Sequence, residues 1–310
     1  MDAVVAHSEA AISKGSSSFS AASRLFGREL REDVWQLYAW CRHCDDEIDG
    51  QDGGGASRPL SAADRQARLD RLRRLTHAAL AGEPMADPAF AAFARVARKH
   101  RMAEQWPLEL LDGFAQDVEA PRLASQAETL AYCWGVAGTV GVMMATIMGA
   151  GGHAVLQRAQ DLGLAFQLSN ICRDVFEDAH NGRIYLPADQ LEAEGVAATP
   201  AVLLDRANRE AVFRVVVRQL ALAETYYDSA RVGLRALPFR AALAVAAARN
   251  IYREIGRRIL RQGPSALSAR MRVPKPVMAV LAVRGAGAAI LSRFEQPDAA
   301  PPRPQLWSRL

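Results

Sequence analysis

Two short acidic stretches, Asp45-Asp46-Glu47-Ile48-Asp49 and Asp174-Val175-Phe176-Glu177-Asp178, each set aspartates four residues apart within otherwise apolar helical sequence. Carboxylates at i and i+4 share a helix face and repel one another, and burying them without partners costs far more. Hard divalent cations, Mg²⁺ first or Mn²⁺ in its place, are the natural counter-charge for clustered carboxylate oxygens. The chemistry they serve is the handling of phosphorylated substrates, whose leaving groups need neutralising. At about 100° per residue, Tyr38, Arg42, Asp45 and Asp49 fall within one stripe roughly 60° wide. Gln167, Asn170, Asp174 and Asp178 form a second stripe of similar width, with Arg173 on its flank. Two such stripes facing each other would form a cage of carboxylates for metals and guanidinium forks for diphosphate. Aspartates paired with arginines on a solvated face would explain one such motif. They explain less well two motifs, each with an amide or arginine one turn away.

The elements that must position these residues read as helices throughout, with no alternating strand pattern. The periodicity predicts helices at about 30–49, 61–82, 87–101, 105–119, 127–149, 154–178, 203–234, 239–262 and 275–292. Loops are predicted at 52–59 and at the glycine break 149–152, and a stop at Asn181-Gly182 before Pro187. The expectation is an all-α bundle with two central apolar helices, a single domain over residues 1–310 with its core at about 15–292. The proline-rich tail, about 295–310, is expected to be extended.

The chain has 310 residues, 50% hydrophobic and 23% charged, with net charge +4, enough for one large core. Its basic residues are scattered among acids, which argues against nucleic acid as a partner. Cys41, Cys44, Cys133 and Cys172 are too few and dispersed for a disulfide framework, and Cys41-x-x-Cys44 lacks a second half-site for zinc. They read as buried thiols in a reducing compartment. The first 25 residues show no signal-peptide core, so a cytoplasmic location is expected. Residues 129–152 are free of charge and long enough to span a bilayer, but their Gly, Ala and Thr content and the lack of a comparable second span favour a buried core helix. Nothing in the sequence sets the oligomeric state.

Four ordered runs carry a specific resemblance. The first is Tyr38-Ala39-Trp40-Cys41-Arg42-His43-Cys44-Asp45-Asp46-Glu47-Ile48-Asp49, and the second Tyr132-Cys133-Trp134-Gly135-Val136-Ala137-Gly138-Thr139-Val140-Gly141. The third runs from Leu162-Gly163-Leu164-Ala165-Phe166-Gln167 through Leu168-Ser169-Asn170-Ile171-Cys172-Arg173-Asp174 to Glu177-Asp178, and the fourth is Gly182-Arg183-Ile184-Tyr185-Leu186-Pro187. Together they resemble the squalene/phytoene synthase family over about residues 15–292, and the Pro-Pro-Arg-Pro tail with Leu306-Trp307 is similar to that of bacterial members.

The resemblance implies the isoprenoid synthase helical bundle with a central apolar cavity, and head-to-head condensation of two prenyl diphosphates. It assigns Asp45, Asp49, Asn170, Asp174 and Asp178 to Mg²⁺, with the four aspartates, Arg42 and Arg173 as the catalytic set. Ser16, Ser17, Ser18, Phe19, Tyr38, Arg42, Tyr132, Gln167, Asn170, Arg173 and Tyr252 would contact substrate. Val136 and Phe166 would line the cavity with Phe19 and Tyr132, and either Arg270 or Arg272 would fill a later basic position. Asp112 and Asp117 are expected to play a supporting role. Gly135, Gly138 and Gly141 suit helix packing as well as room for a prenyl chain. The expected branch joins two geranylgeranyl diphosphates through a cyclopropyl diphosphate to phytoene, releasing two diphosphates, in carotenoid biosynthesis and without NADPH. The alternatives are a dehydrosqualene- or squalene-forming enzyme using two farnesyl diphosphates, and a noncatalytic binding or assembly protein. Greasy substrates make a peripheral membrane contact reasonable; Arg249, Arg253, Arg257, Arg258 and Arg261 could serve it, line a solvated face, or reach the pocket.

Overall fold

Helix α3 (Arg28–Asp49), which carries the first acidic motif, shows why the chain bundles. Its buried positions Val34, Leu37, Trp40, Cys44 and Ile48 recur every three or four residues, so one face is apolar and must be covered. Trp40 stacks on Phe93 with ring centroids 4.1 Å apart. The helix stops at Gly50, whose φ of 65° suits glycine. Two helices that the periodicity did not reveal precede it, α1 (Ala3–Gly15) and α2 (Ser17–Ser23). The computed structural model describes residues 2–51, 60–118, 122–294, 302–303 and 305–310, apart from the side chains of Ser17 and Ser18. The loop expected at 52–59 and most of the proline-rich stretch 297–304 lie outside the described residues.

After that loop come α4 (Ala62–Leu80), opened by a Ser61–Asp64 capping box, α5 (Pro88–Lys99), capped by Asp87, and α6 (Gln105–Val118). Helix α7 (Gln126–Cys133) continues through a π-helical turn (Trp134–Gly138) into α8 (Thr139–Ile147). A glycine-rich reversal, with Gly149 and Gly152 at φ 80° and 84°, leads to the 28-residue α9 (His153–His180), bearer of the second acidic motif. Two short helices, α10 (Ala188–Ala193) and α11 (Pro200–Leu204), precede α12 (Arg209–Gly233), which therefore begins later than the expected residue 203. Helices α13 (Phe239–Gln262) and α14 (Lys275–Leu291) complete the bundle. Among the described residues the β contribution is one isolated parallel bridge, Arg122–Ile184.

The stretch Gln126–Ile147 is apolar and long enough to cross a membrane, yet 67% of its most apolar window is buried inside the bundle. It is a core helix, packed backbone to backbone. A Cβ on Gly135 would stand 2.7 Å from the Gly113 Cα, and one on Gly141 would stand 2.5 Å from the Ala159 carbonyl oxygen. These glycines therefore serve close helix approach. The four cysteines are free, and burial pushes the Cys41, Cys44, Cys133 and Cys172 thiols well up from their usual range.

Candidate active site

Helices α3, α6, α8, α9, α12 and α13 enclose a cavity of about 980 Å³. On α9 its lining runs from Val155 through Arg158, Leu162, Phe166, Gln167 and Asn170 to Arg173. That is a span of about 27 Å at 1.5 Å per residue. At the Arg173 end stand Ser16, Phe19, Tyr38, Arg42, Asp45, Asp117, Tyr132 and Tyr252. Toward the other end the walls are made by Val140, Met144, Met148, Ala230, Leu234 and Leu237. The cavity is thus polar at its mouth and mostly apolar along its length.

The sequence-derived residues converge on that mouth. Ser16 caps α2 by accepting from the Phe19 amide at 3.2 Å, while the side chains of Ser17 and Ser18 lie outside the described residues. Phe19 meets Tyr38 with centroids 5.6 Å apart, and Tyr252 stacks on Phe166 at 4.3 Å. Arg42 pairs with Asp45 at 2.8 Å and with Asp46 at 2.5 Å. Arg173 pairs with its neighbour Asp174 at 2.5 Å. Arg270 reaches Asp174 at 3.2 Å and Glu177 at 3.6 Å, which settles which of Arg270 and Arg272 meets the second motif, although both line the cavity.

Three residues that the helical stripes did not single out join the two motifs. Arg183 donates to Asp49 at 2.7 Å. Asp117, 6% exposed, accepts from Tyr185 at 2.6 Å and from Tyr132 at 3.2 Å; the two tyrosine rings stack at 4.7 Å. Arg183 and Tyr185 sit on the extended segment after α9, held to the segment before α7 by the Arg122–Ile184 bridge. The supporting role expected of both α6 aspartates divides. Asp112 is 64% exposed and pairs with Arg73, so it is a solvated helix-end residue, whereas Asp117 lies between the motifs.

The electrostatics record the crowding. Desolvation first, then the neighbouring Asp174, pushes the Asp178 carboxyl up to about 8 against the field of Arg183. Desolvation also leads for Asp45, which is raised to about 7, with Arg42 opposing and Asp49 and Asp46 adding. Asp117 is raised to about 6 by desolvation, opposed by Arg183 and the tyrosine hydrogen bonds. Among the described residues no three His, Cys, Asp or Glu groups are gathered closely enough to hold a metal. Guanidinium groups stand among the carboxylates instead of the preformed cage that the stripes suggested. The donor set still fits a hard dication. It offers carboxylate oxygens carrying raised proton affinity and the Asn170 Oδ1, a buried acceptor with no hydrogen-bond partner.

Of Arg249, Arg253, Arg257, Arg258 and Arg261 on α13, Arg257 is exposed, and the other four are held by neighbouring groups. Arg249 is 5% exposed and donates to the Tyr227 carbonyl at 2.8 Å. Arg253 pairs with Glu224 and Asp228, and Arg258 and Arg261 pair with Glu254.

The model of the squalene/phytoene synthase family matches residues 12–277. The 15-cis-phytoene synthase of a Paracoccus species is 47% identical over 309 residues, covering 100% of this chain and 99% of that protein. That of Pantoea ananas is 44% identical over 304 residues, covering 98% and 97%. Among solved structures, a dehydrosqualene synthase in complex with ligand superposes with a TM-score of 0.80 at 26% identity, over 92% of this chain and 95% of that one. The squalene synthase of Alicyclobacillus acidocaldarius gives 0.71 at 26% identity, over 83% and 94%. With fold, motif order and full-length similarity in agreement, the chain belongs to the squalene/phytoene synthase family.

Proposed function

We propose that this single-domain chain is a phytoene synthase that joins two geranylgeranyl diphosphates head to head. The observation that carries the reading is the cavity itself, charged at one end and about 27 Å long on α9. The sixteen-carbon main chain of a geranylgeranyl group advances about 19 Å when built from carbon–carbon bonds of about 1.5 Å. It fits with the diphosphate at Asn170 and Arg173. A divalent metal held by Asp45, Asp49, Asn170, Asp174 and Asp178, Mg²⁺ by the donor type, would supply Lewis-acid stabilisation of the departing diphosphate. Arg42, Arg173 and Arg270 are placed to turn from the carboxylates to diphosphate oxygens. Loss of the first diphosphate leaves an allylic cation, which the second molecule's alkene attacks, and proton loss closes a cyclopropane. Loss of the second diphosphate drives rearrangement, and a further proton loss ends at phytoene with no reductant. The apolar walls keep water from both cations, and the faces of Phe166, Tyr252, Phe19 and Tyr38 oppose positive charge.

Peripheral contact with a membrane belongs to the same reading, made by α14 rather than α13. Val280, Val283, Leu291 and Phe294 are 53%, 73%, 65% and 80% exposed, and residues 270–294 hold four arginines and Lys275 with no acid. Lys275 and Met278 also line the cavity, so this face adjoins the space an apolar product must leave. Flotation with phosphatidylglycerol vesicles and not with phosphatidylcholine is expected for the wild type and lost in Val283→Asp/Phe294→Asp. Equal recovery of that variant would remove α14 from the reading.

The direct test incubates purified protein with each prenyl diphosphate, with Mg²⁺ or EDTA, and identifies the hydrocarbon. Phytoene from the C20 substrate with Mg²⁺ is expected. No hydrocarbon, or turnover of the C15 substrate in preference, would overturn the proposal.

A further inference from the structure

We infer that the C-terminal segment around Arg303 sets the far end of the prenyl cavity, acting through Asp161 and Arg158. Asp161 on α9 is 0% exposed. Its carboxylate accepts from Arg303 at 2.7 and 3.0 Å and from the Ser229 hydroxyl at 2.5 Å. Arg303 also donates to the Leu306 and Trp307 carbonyls at 3.0 and 2.9 Å, so the segment is wound around its own guanidinium. The adjacent Gln160, also 0% exposed, accepts from the Arg309 amide at 3.1 Å. Two fully buried polar groups on the central helix thus draw partners from a segment far along the chain, an arrangement worth several hydrogen bonds and one buried ion pair.

The cavity side of this relay is Arg158. It lines the cavity one turn from Val155, and its head is turned to Ser229, with Nη1 2.7 Å from the Ser229 hydroxyl oxygen. Gly233 of α12 lies against its stem, where a Cβ would stand 2.8 Å from the Arg158 Cβ. With Arg303 on Asp161, the Ser229 hydroxyl donates to that carboxylate while accepting from the Arg158 guanidinium, whose stem borders the cavity. Removing Arg303 leaves a buried carboxylate whose field already acts on the Arg158 guanidinium, one turn away on the same helix and linked to it through Ser229. The guanidinium then swings to Asp161, and the cavity end is remade.

Position along α9 states whom this concerns, given the geranylgeranyl reading above. Arg158 lies twelve residues, about 18 Å, from Asn170, the distance that an extended C20 chain of about 19 Å reaches. A C15 chain, about 14 Å long, ends near Leu162, a turn short. Arg303 and Asp161 are accordingly positioning residues for the last isoprene unit only.

The test measures kcat and KM with geranylgeranyl and farnesyl diphosphates for the full-length wild type, Arg303→Leu, Arg303→Lys and Gly233→Ala. The last displaces the Arg158 stem from the opposite side without touching the tail, so it stands if Arg303→Leu fails to fold. The expected result is a C20-to-C15 ratio of kcat/KM about tenfold lower in Arg303→Leu and Gly233→Ala, carried by KM for the C20 substrate, with the C15 value unchanged and partial recovery in Arg303→Lys. Parallel loss with both substrates, or an unchanged ratio in the variants that fold, would overturn the inference. Absence of hydrocarbon from wild type would instead strike the geranylgeranyl reading on which it rests.

Discussion

Loading the site with a divalent metal should expel protons, most of them from Asp178. Near pH 7, Asp178, raised to about 8, is mostly protonated, and Asp45, raised as well but 37% exposed, is protonated to a smaller extent. A metal that ionises both therefore releases about one proton from Asp178 at pH 7, with a smaller share from Asp45, and almost none at pH 9. Apparent affinity should strengthen as pH rises from 6 to 8.5, then level. Calorimetric titration of Mg²⁺ or Mn²⁺ in buffers of different ionisation heat reads the release as the slope of observed against buffer enthalpy. In Asp178→Asn the slope should drop by most of its value, the smaller Asp45 share alone remaining. A buffer-independent heat at pH 7, or equal release at pH 7 and 9, would refute the reasoning.

The same shifts fix how metal-free stability depends on pH. A carboxyl raised in the folded state binds more protons there than in the unfolded chain between its two values. For Asp178 that window runs from 3.8 to about 8. Stability is therefore greatest below the window and falls as pH rises through it, by up to ~1.4 kcal/mol per pH unit where the proton difference is complete. Asp45 adds less, being 37% exposed and screened by solvent. Metal should restore melting temperature at pH 8.5 and change it little at pH 5.5. Thermal melts with and without EDTA check the sign.

Asp45→Asn and Asp174→Asn should each abolish turnover while leaving the helical circular dichroism unchanged, and near-normal rates in either would count against the metal assignment. Gly135→Ala sets a Cβ 2.7 Å from the Gly113 Cα, backbone against backbone, and should cost about 1–3 kcal/mol by overpacking. The matched change Gly287→Ala, in α14 with nothing within 4 Å, should raise stability by up to ~1 kcal/mol through helix propensity. Differential scanning calorimetry tells them apart, and a melting temperature that fails to fall in Gly135→Ala would discount the close approach.

The two stripes were legible because 3.6-residue periodicity fixes which side chains share a helix face, and α3 and α9 obey it over their full lengths. Asp112 and Asp117 lie five residues apart on one helix, about 140° around it, so that only one could turn inward was already implicit. Helix α1 escaped because it buries only Val5, Ser8 and Ile12, too sparse a pattern against its alanines. The π turn at Trp134–Gly138 adds a residue within a helix and leaves no compositional mark. Arg183 and Tyr185 belong to a non-helical segment, where no periodicity says which way a side chain points; their place comes from a tertiary bridge.

The departure at the centre of the site has one physical cause. The stripes called for a counter-charge among the carboxylates, and the chain itself carries one: Arg42 on Asp45, Arg183 on Asp49, Arg173 and Arg270 on Asp174. A guanidinium can accept that duty and relinquish it, because its fork fits carboxylate and diphosphate oxygens equally well. With a dication and a diphosphate bound, Asp45, Asp49 and Asp174 would hold the dication, which would supply Lewis-acid neutralisation, and Arg42, Arg173, Arg183 and Arg270 would be released toward the phosphate oxygens. Charge would then be exchanged between partners already in place, with little desolvated anew. The same arrangement predicts an order of effects on diphosphate affinity. Arg173→Met and Arg270→Met should weaken it more with metal present than absent, since only then are their guanidinium groups released. Competition by inorganic pyrophosphate, measured with and without Mg²⁺, reads that difference, and equal weakening in both conditions would argue that these arginines stay with their carboxylates throughout.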